Sequence, residues 1–514
     1  MFEQFIHFFN VMFDLITKPE NIFILFGSSF LGILFGSMPG LTATLGVALL
    51  TTLTYNLETS TALISLLGMY VGAIYGGSYP AILINIPGTP AAAATAIDGY
   101  ALAKKGEGGK ALGLTTTASF IGTVIGLIFL VVLAPVISQF ALQFTSWEFF
   151  LLAIFGIIIS GTLANDDLVI KGWIAGFIGL FLALVGRDTL QFFPRYTFEQ
   201  SQLDSGLEIV PVLIGAFAIP QIIRVLSEGE TLKKAEKIGR ILPNFSKVIR
   251  NIKHIFRSAL AGVGIGAVPG VGEDIAGWVS YSMAKSTSSD KEKEKFGKGS
   301  ETGIIATETA NNASIGGALI PLLTLGIPGS PPAAMLLGAL LLHGVIPGPT
   351  IEAENPGFLL EVTAIMVLAS FAMFINGILL AKPVIKILSI PSQLFIPIVG
   401  VLCILGAYAL GLNLFNLYLM LPVGIVAYIL SENKFPISPM VIGLVLGQMA
   451  DESLRRALMI SEGSFLPLFS RPVCLVLLVV ILYLVLSQFK PINEAVRSLF
   501  SKKGMKNSPG VDHE

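Results

Sequence analysis

The sequence predicts an all-α polytopic membrane protein with about 12 transmembrane helices, arranged as two inverted-topology repeats that contain broken or re-entrant segments. Three observations predict it. Of 514 residues 54% are hydrophobic and 13% charged, with mean hydropathy +0.80, whereas soluble domains carry about 25% charged residues. Apolar runs able to cross about 30 Å of hydrocarbon follow one another from Ile22 to Ser487. Two distant segments repeat the same glycine–proline motifs in the same order. The balance of 32 Lys+Arg against 33 Asp+Glu excludes an electrostatic nucleic-acid binder. Cys403, Cys474 and the four scattered histidines form no ligand cluster, so no zinc, haem or iron–sulfur cofactor and no disulfide scaffold is expected. No basic stretch precedes the first apolar run, so a cleaved signal peptide is not expected.

Taken in order, residues 1–19 form the first element. Phe2, Phe5, Ile6, Phe9, Met12, Phe13 and Ile16 recur at helical spacing between polar residues, which fits an amphipathic helix in the membrane interface or against another subunit. Residues 20–223 form a first transmembrane repeat, with apolar spans near 22–53, 61–84, 112–138, 147–163, 168–186 and 207–226. The connector 224–257 carries nine Lys/Arg against three Glu, and the tail 489–514 has five basic residues between Lys490 and Lys506. Both are expected on the cytoplasmic side. Residues 258–488 hold the second repeat and the helices after it. The mixed-charge run Ser286–Ser300 reads as a solvated loop.

The repeat carries the functional signal. Gly32-x3-Gly36-x2-Pro39-Gly40 returns as Gly262-x3-Gly266-x2-Pro269-Gly270, at an offset of 230. Pro80 and Pro87 bracket YPAILINIPGTP, and Pro321 and Pro328 bracket IPLLTLGIPGSP, at an offset of 241. Double glycines, Gly76-Gly77 and Gly316-Gly317, stand upstream of the two proline pairs. Proline and glycine break helices and free backbone groups, which membrane depth tolerates only inside protein or along a watery cavity. Broken segments at matching positions of two halves point to a transport site; GxxxG alone would also suit close helix packing. The basic residues reverse sides between the halves. Lys104, Lys105 and Lys110 follow the first tip, whereas Lys285, Lys291, Lys293, Lys295 and Lys298 precede the second. Inverted repeats require that reversal. Placing 224–257 and 285–298 on one side makes Pro269-Gly270 the turn of a re-entrant hairpin.

The runs GAIYGGSYPAILINIPGTPAAAATAIDGYALAKKGEGGKALG (72–113) and ETANNASIGGALIPLLTLGIPGSP (308–331), with the two PG motifs, resemble the large membrane subunit of the tripartite tricarboxylate transporters, the TctA family. The resemblance covers about residues 20 to 470. It implies the permease of a secondary uptake system for citrate-like di- and tricarboxylates in a bacterial cell membrane. The implied partners are a small TctB-like membrane subunit and an extracytoplasmic TctC-like solute-binding protein, with Na⁺ or H⁺ as coupling ion. The chain lacks the Walker A pattern of an ATP-driven pump. It departs from the family at Ala92, where Ser is frequent, and at Thr307, where Pro is frequent. A passive organic-anion channel is the alternative, since channels also use broken helices. An intramembrane enzyme is a weaker one, because no nucleophile–base pair lies within the repeated motifs.

An anion in lipid needs positive potential. Residues 76–97 have no charged side chain, and between 303 and 347 the acid is Glu308. Helix N-termini after Pro90 and Pro331 supply about half a positive charge each. Substrate-binding candidates are therefore Pro39, Gly40, Thr42, Gly88, Thr89, Pro90, Thr95, Pro269, Gly270, Gly329, Ser330 and Pro331. The hydroxyls among them could instead bond their own helices. Candidates for the cation are Asn85, Glu308, Asn311, Asn312 and Asp274, because acids and amides inside apolar spans are functional by default. The amides could also be packing links between helices. Asp274 and Glu273 also suit a helix N-terminus, and Asp98 a cap or turn.

Overall fold

Runs without polar interruption become helices because lipid leaves backbone groups no other partner. The computed structural model describes residues 2–38, 40–164, 169–228, 241–387 and 392–488; Pro39, residues 229–240 of the connector, and the tail 489–514 lie outside the described residues. The main helices are α1 (Phe2–Thr17), α2 (Pro19–Ser37), α3 (Ala43–Leu53), α4 (Thr59–Gly76), α5 (Ser78–Ile84), α6 (Ala93–Leu102), α7 (Gly108–Ala141), α8 (Ser146–Leu163), α9 (Val169–Ala183) and α10 (Ile209–Glu228). The second half continues with α11 (Ile252–Gly266), α12 (Gly272–Thr287), α13 (Glu301–Leu325), α14 (Pro331–Leu342), α15 (Phe358–Leu379), α16 (Ser392–Ala409), α17 (Phe415–Glu432), α18 (Ile437–Ile460) and α19 (Pro472–Leu486). The β-structure among the described residues is one pair of two-residue strands, Gly186–Arg187 with Pro194–Arg195. Among the described residues, seven helical stretches are long and apolar enough to cross a membrane, and six shorter apolar helices accompany them. The protein is an all-α, multi-pass membrane protein.

Side-chain pairs fix helix directions. Lys110 meets Glu301 at 2.8 Å and Ser119 meets Glu308 at 2.8 Å, so α7 and α13 run parallel. They start at one end of the molecule, where Lys105 Nζ donates to the Lys298 carbonyl at 2.6 Å and Lys247 pairs with Glu301 at 2.7 Å. This basic end joins the two lysine groups that the sequence placed on one side. α4 runs the opposite way, because Ser78 just beyond it lies against Glu308 while Tyr70, earlier in the chain, lies against Ser330. Its counterpart in the second half is α13. The repeats are inverted.

Close glycine packing gives the register. A Cβ on Gly32 or Gly36 would strike the backbone at Met69 or Ala73, and on Gly262 or Gly266 the backbone at Ala310 or Ser314. Thus α2 lies parallel to α4, and α11 to α13. In each half one helix intervenes, so the chain must reverse near Gly40 and near Gly270, both of positive φ. Pro269-Gly270 is thus a reversal of the chain, as the re-entrant reading expects. The same contacts correct the pairing of the double glycines: Gly76 packs on Ile33 and Gly317 on Val263. Gly317 is therefore the equivalent of Gly76, at the prolines' offset of 241, and Tyr75 takes the place of Gly316.

Around this interlocked centre, α8, α9 and α18 pack on one flank and α10, α16 and α17 on the other. Helix α1 lies along α15, with His7 beside Gly357 and Leu15 buried, while Phe9 and Phe13 stay exposed. One face is thus left for the interface or a subunit.

Candidate functional site

Both tips are built alike. After α5 the chain turns through Asn85, in the left-handed conformation at φ 56°; after α13 it turns through Gly326 at φ 70°. Asn accepts that conformation better than other side chains do. The Ile86 amide then reaches back to the Pro80 carbonyl at 3.3 Å, and Ile327 to Pro321 at 3.1 Å. Gly88 and Gly329 sit where a Cβ would collide with the carbonyls of Gly36 and Gly266. Each tip is thereby drawn back alongside its own helix and held by the preceding hairpin. A new helix then starts inside the protein, at Thr89-Pro90 and at Ser330-Pro331. The broken segments expected from the motifs are present in both halves.

Between the tips lies a fully buried carboxylate. Glu308 on α13 accepts hydrogen bonds from Ser78 (2.7 Å, α5), Thr95 (α6) and Ser119 (2.8 Å, α7), all from the first half. Thr95 also contacts Thr307 at 3.1 Å, and Asn312 Nδ2 donates to the Glu308 carbonyl at 3.1 Å. The two halves are joined through the hydroxyls of Ser78, Thr95 and Ser119 and this one acid. Sequence reading found Glu308 and Thr95 but missed Ser78 and Ser119, since partners 230 and 189 positions away leave no local periodicity.

A second polar group meets at the Ser330 tip. Tyr70 Oη lies 3.0 Å from Ser330 Oγ and donates toward Glu273 Oε1 at 3.4 Å. Ser330 also caps α14, accepting from the Ala333 amide at 3.3 Å. Tyr70 was not among the sequence candidates, and Glu273 was weighed beside Asp274 without being placed at this tip. Asp274 sits half-buried beside Glu273 in the first turn of α12.

The remaining candidates divide. Thr42 caps α3 through the Leu45 amide at 3.2 Å. Gly40 faces Gln221 and Val225 of α10, and Gly270 faces Ser160 of α8 and Ile442 of α18. The PG turns therefore seat the hairpins against the flanking helices. Asn85 is exposed at its turn and is not among the groups hydrogen-bonded to Glu308. Asn311 and Asn312 are fully buried on α13. Asp98 Oδ1 accepts three amides, from Gly297, Gly299 and Ser300, at 2.8 Å each. It caps the approach to α13 rather than its own helix. The loop read as merely solvated supplies these donors.

Among the described residues, no cluster of three or more His, Cys, Asp or Glu could hold a metal ion. Two inverted halves, interlocked through broken helices around a pair of helix ends free of Lys and Arg and a buried acid shared between the halves, define a membrane transporter of the inverted-repeat kind. The chain belongs to the tripartite tricarboxylate transporter TctA family, whose model matches residues 22–442. It is thus a component of a tricarboxylate transporter. It is 34% identical over 469 residues to an uncharacterized 52.8 kDa protein in the TAR-I ttuC' 3' region of Agrobacterium vitis, covering 91% of this chain and 93% of that protein. It is also 34% identical over 214 residues to an uncharacterized protein in the TAR-II ttuC' 3' region of the same organism, covering 42% of this chain and 88% of that one. No solved structure matches.

Proposed function

We propose that this chain is the permease subunit of a binding-protein-dependent, cation-coupled secondary transporter that takes up di- and tricarboxylates across the bacterial inner membrane. Its partners are a small membrane subunit and an extracytoplasmic binding protein that delivers substrate. The observation that carries the reading is the pairing of two internal helix ends, free of Lys and Arg, with a buried carboxylate shared between the halves. Each helix end offers about half a positive charge, less than a dicarboxylate carries. A cation that neutralises Glu308 removes a repelling charge from the site and makes the anion's entry favourable. Anion and cation then strengthen each other's binding by the same factor.

The test is uptake of radiolabelled citrate or succinate into proteoliposomes holding this chain with its partner subunits. Accumulation above the external concentration, abolished by an ionophore that collapses the cation gradient, supports the reading. Equilibration without accumulation identifies a passive channel. Full-rate uptake at low substrate by the chain alone would refute dependence on a binding protein.

A further inference from the structure

The two tips are equivalent in the repeat but not in their occupancy. At the offset of 241, Ser330 corresponds to Thr89, Pro331 to Pro90 and Tyr70 to Asn311. The glycine contacts hold this register from Met69 to Gly76 on α4 and from Ala310 to Gly317 on α13. The Ser330 end is filled from within: Tyr70 and Glu273 meet there, Ser330 caps its helix, and Pro331 is buried. Glu273 brings a carboxylate to this end, its Oε1 3.4 Å from Tyr70 Oη and its Oε2 without a partner.

At the first tip the same positions are unsatisfied. Thr89 Oγ1 makes no cap bond and no other hydrogen bond within the chain, though Thr89 is 3% exposed. Neither Oδ1 nor Nδ2 of Asn311 has a partner, though Asn311 is fully buried. Buried polar groups without partners are costly and call for explanation. Pro90, in contrast to its buried equivalent Pro331, is exposed, so this end is reachable. From Pro90 the chain runs helically through Leu102, long enough to present a positive end.

We propose that the helix end at Thr89, with Asn311 as its partner, receives a carboxylate group of the transported anion, while Glu273 fills the equivalent end at Ser330. The assignment rests on the carboxylate-uptake reading above. It moves Asn311 from the cation to the anion: its Nδ2 donates to a carboxylate oxygen, as does the Thr89 hydroxyl. An internal helix N-terminus supplies the remaining positive potential.

The experiment measures citrate and Na⁺ binding separately, by calorimetry on the full-length purified chain at fixed pH. Thr89→Val keeps shape and removes the hydroxyl; Asn311→Asp keeps shape and replaces the donor with a negative charge. Each variant is expected to weaken citrate binding about tenfold or more, with Na⁺ binding retained, and Thr89→Ser to restore most of the loss. Two results would overturn the proposal: citrate affinity unchanged in Thr89→Val, or Asn311→Asp binding Na⁺ more tightly with citrate unaffected, which would make Asn311 a cation ligand. If Asn311→Asp does not fold, Thr89→Val with its serine rescue decides. A wild-type chain that binds neither citrate nor succinate refutes the carboxylate reading itself, and this assignment falls with it.

Discussion

Glu308→Gln separates charge from shape at the centre of the molecule. Asn311 follows Glu308 by three residues on α13, which places neighbouring side chains about 5–6 Å apart. Two negative charges about 6 Å apart repel by roughly 332/(20 × 6), or about 2.8 kcal/mol, at an effective dielectric constant near 20. That is about a hundredfold in affinity. In cation-poor buffer the variant is therefore expected to bind citrate up to about a hundredfold more tightly than wild type. Added cation should bring no further gain, and uphill transport should be lost because nothing remains to be neutralised. Glutamine fits the cradle, since its oxygen accepts from two hydroxyls and its NH₂ donates to the third once that hydroxyl turns. The assay is a grid of citrate affinity against Na⁺ concentration, repeated at several pH values. A variant whose affinity still climbs with Na⁺ or H⁺ as the wild type does would refute the neutralisation argument.

Other predictions follow from the packing and the topology. Asp98→Ala strips three backbone amides of their acceptor and should cost about 3 kcal/mol or more, read as a lower midpoint of thermal unfolding in detergent; an unchanged midpoint would contradict the cap. Gly36→Val and Gly266→Val each drive a side chain into a neighbouring backbone carbonyl, and each should destabilise by at least about 1–3 kcal/mol. Similar losses are expected in both halves, and a loss in one only would break the equivalence. With Cys403 and Cys474 replaced, cysteines at Lys105 and Lys293 should resist an impermeant reagent applied outside intact cells. Strong labelling of either would invert the basic end.

Much of the architecture was legible because lipid enforces it. The apolar runs had to be helices, and Pro-Gly pairs had to break them. The repeated spacing revealed two halves, and the reversed lysines their opposite sense. What the sequence hid was pairing across the halves. Ser78 and Ser119 look like small packing residues in apolar helices, and Tyr70 like core; their roles arise when α13 arrives from far along the chain. Asn85 was read as a cation candidate, and its part in the turn went unseen. Its equivalent, Gly326, held the clue, because glycine and asparagine at one repeated position mark a left-handed turn. The double glycines misled by one residue because adjacency was matched in place of packing.

The cradle around Glu308 is made entirely of hydroxyls, and this sets the clock of the machine. Ser78, Thr95 and Ser119 each carry an oxygen that both gives and takes a hydrogen bond. When the acid changes charge, they answer by spinning an O–H bond, a matter of picoseconds to nanoseconds. An arginine clamp would have to swing away or stay unpaired at each cycle. In the cation-coupled mechanism proposed above, loading would stay at equilibrium while α5, α6 and α7 hold still. The slow step of each turnover would then belong to the helices, and a measured turnover rate would report their microsecond-to-millisecond motion instead of the ion's arrival.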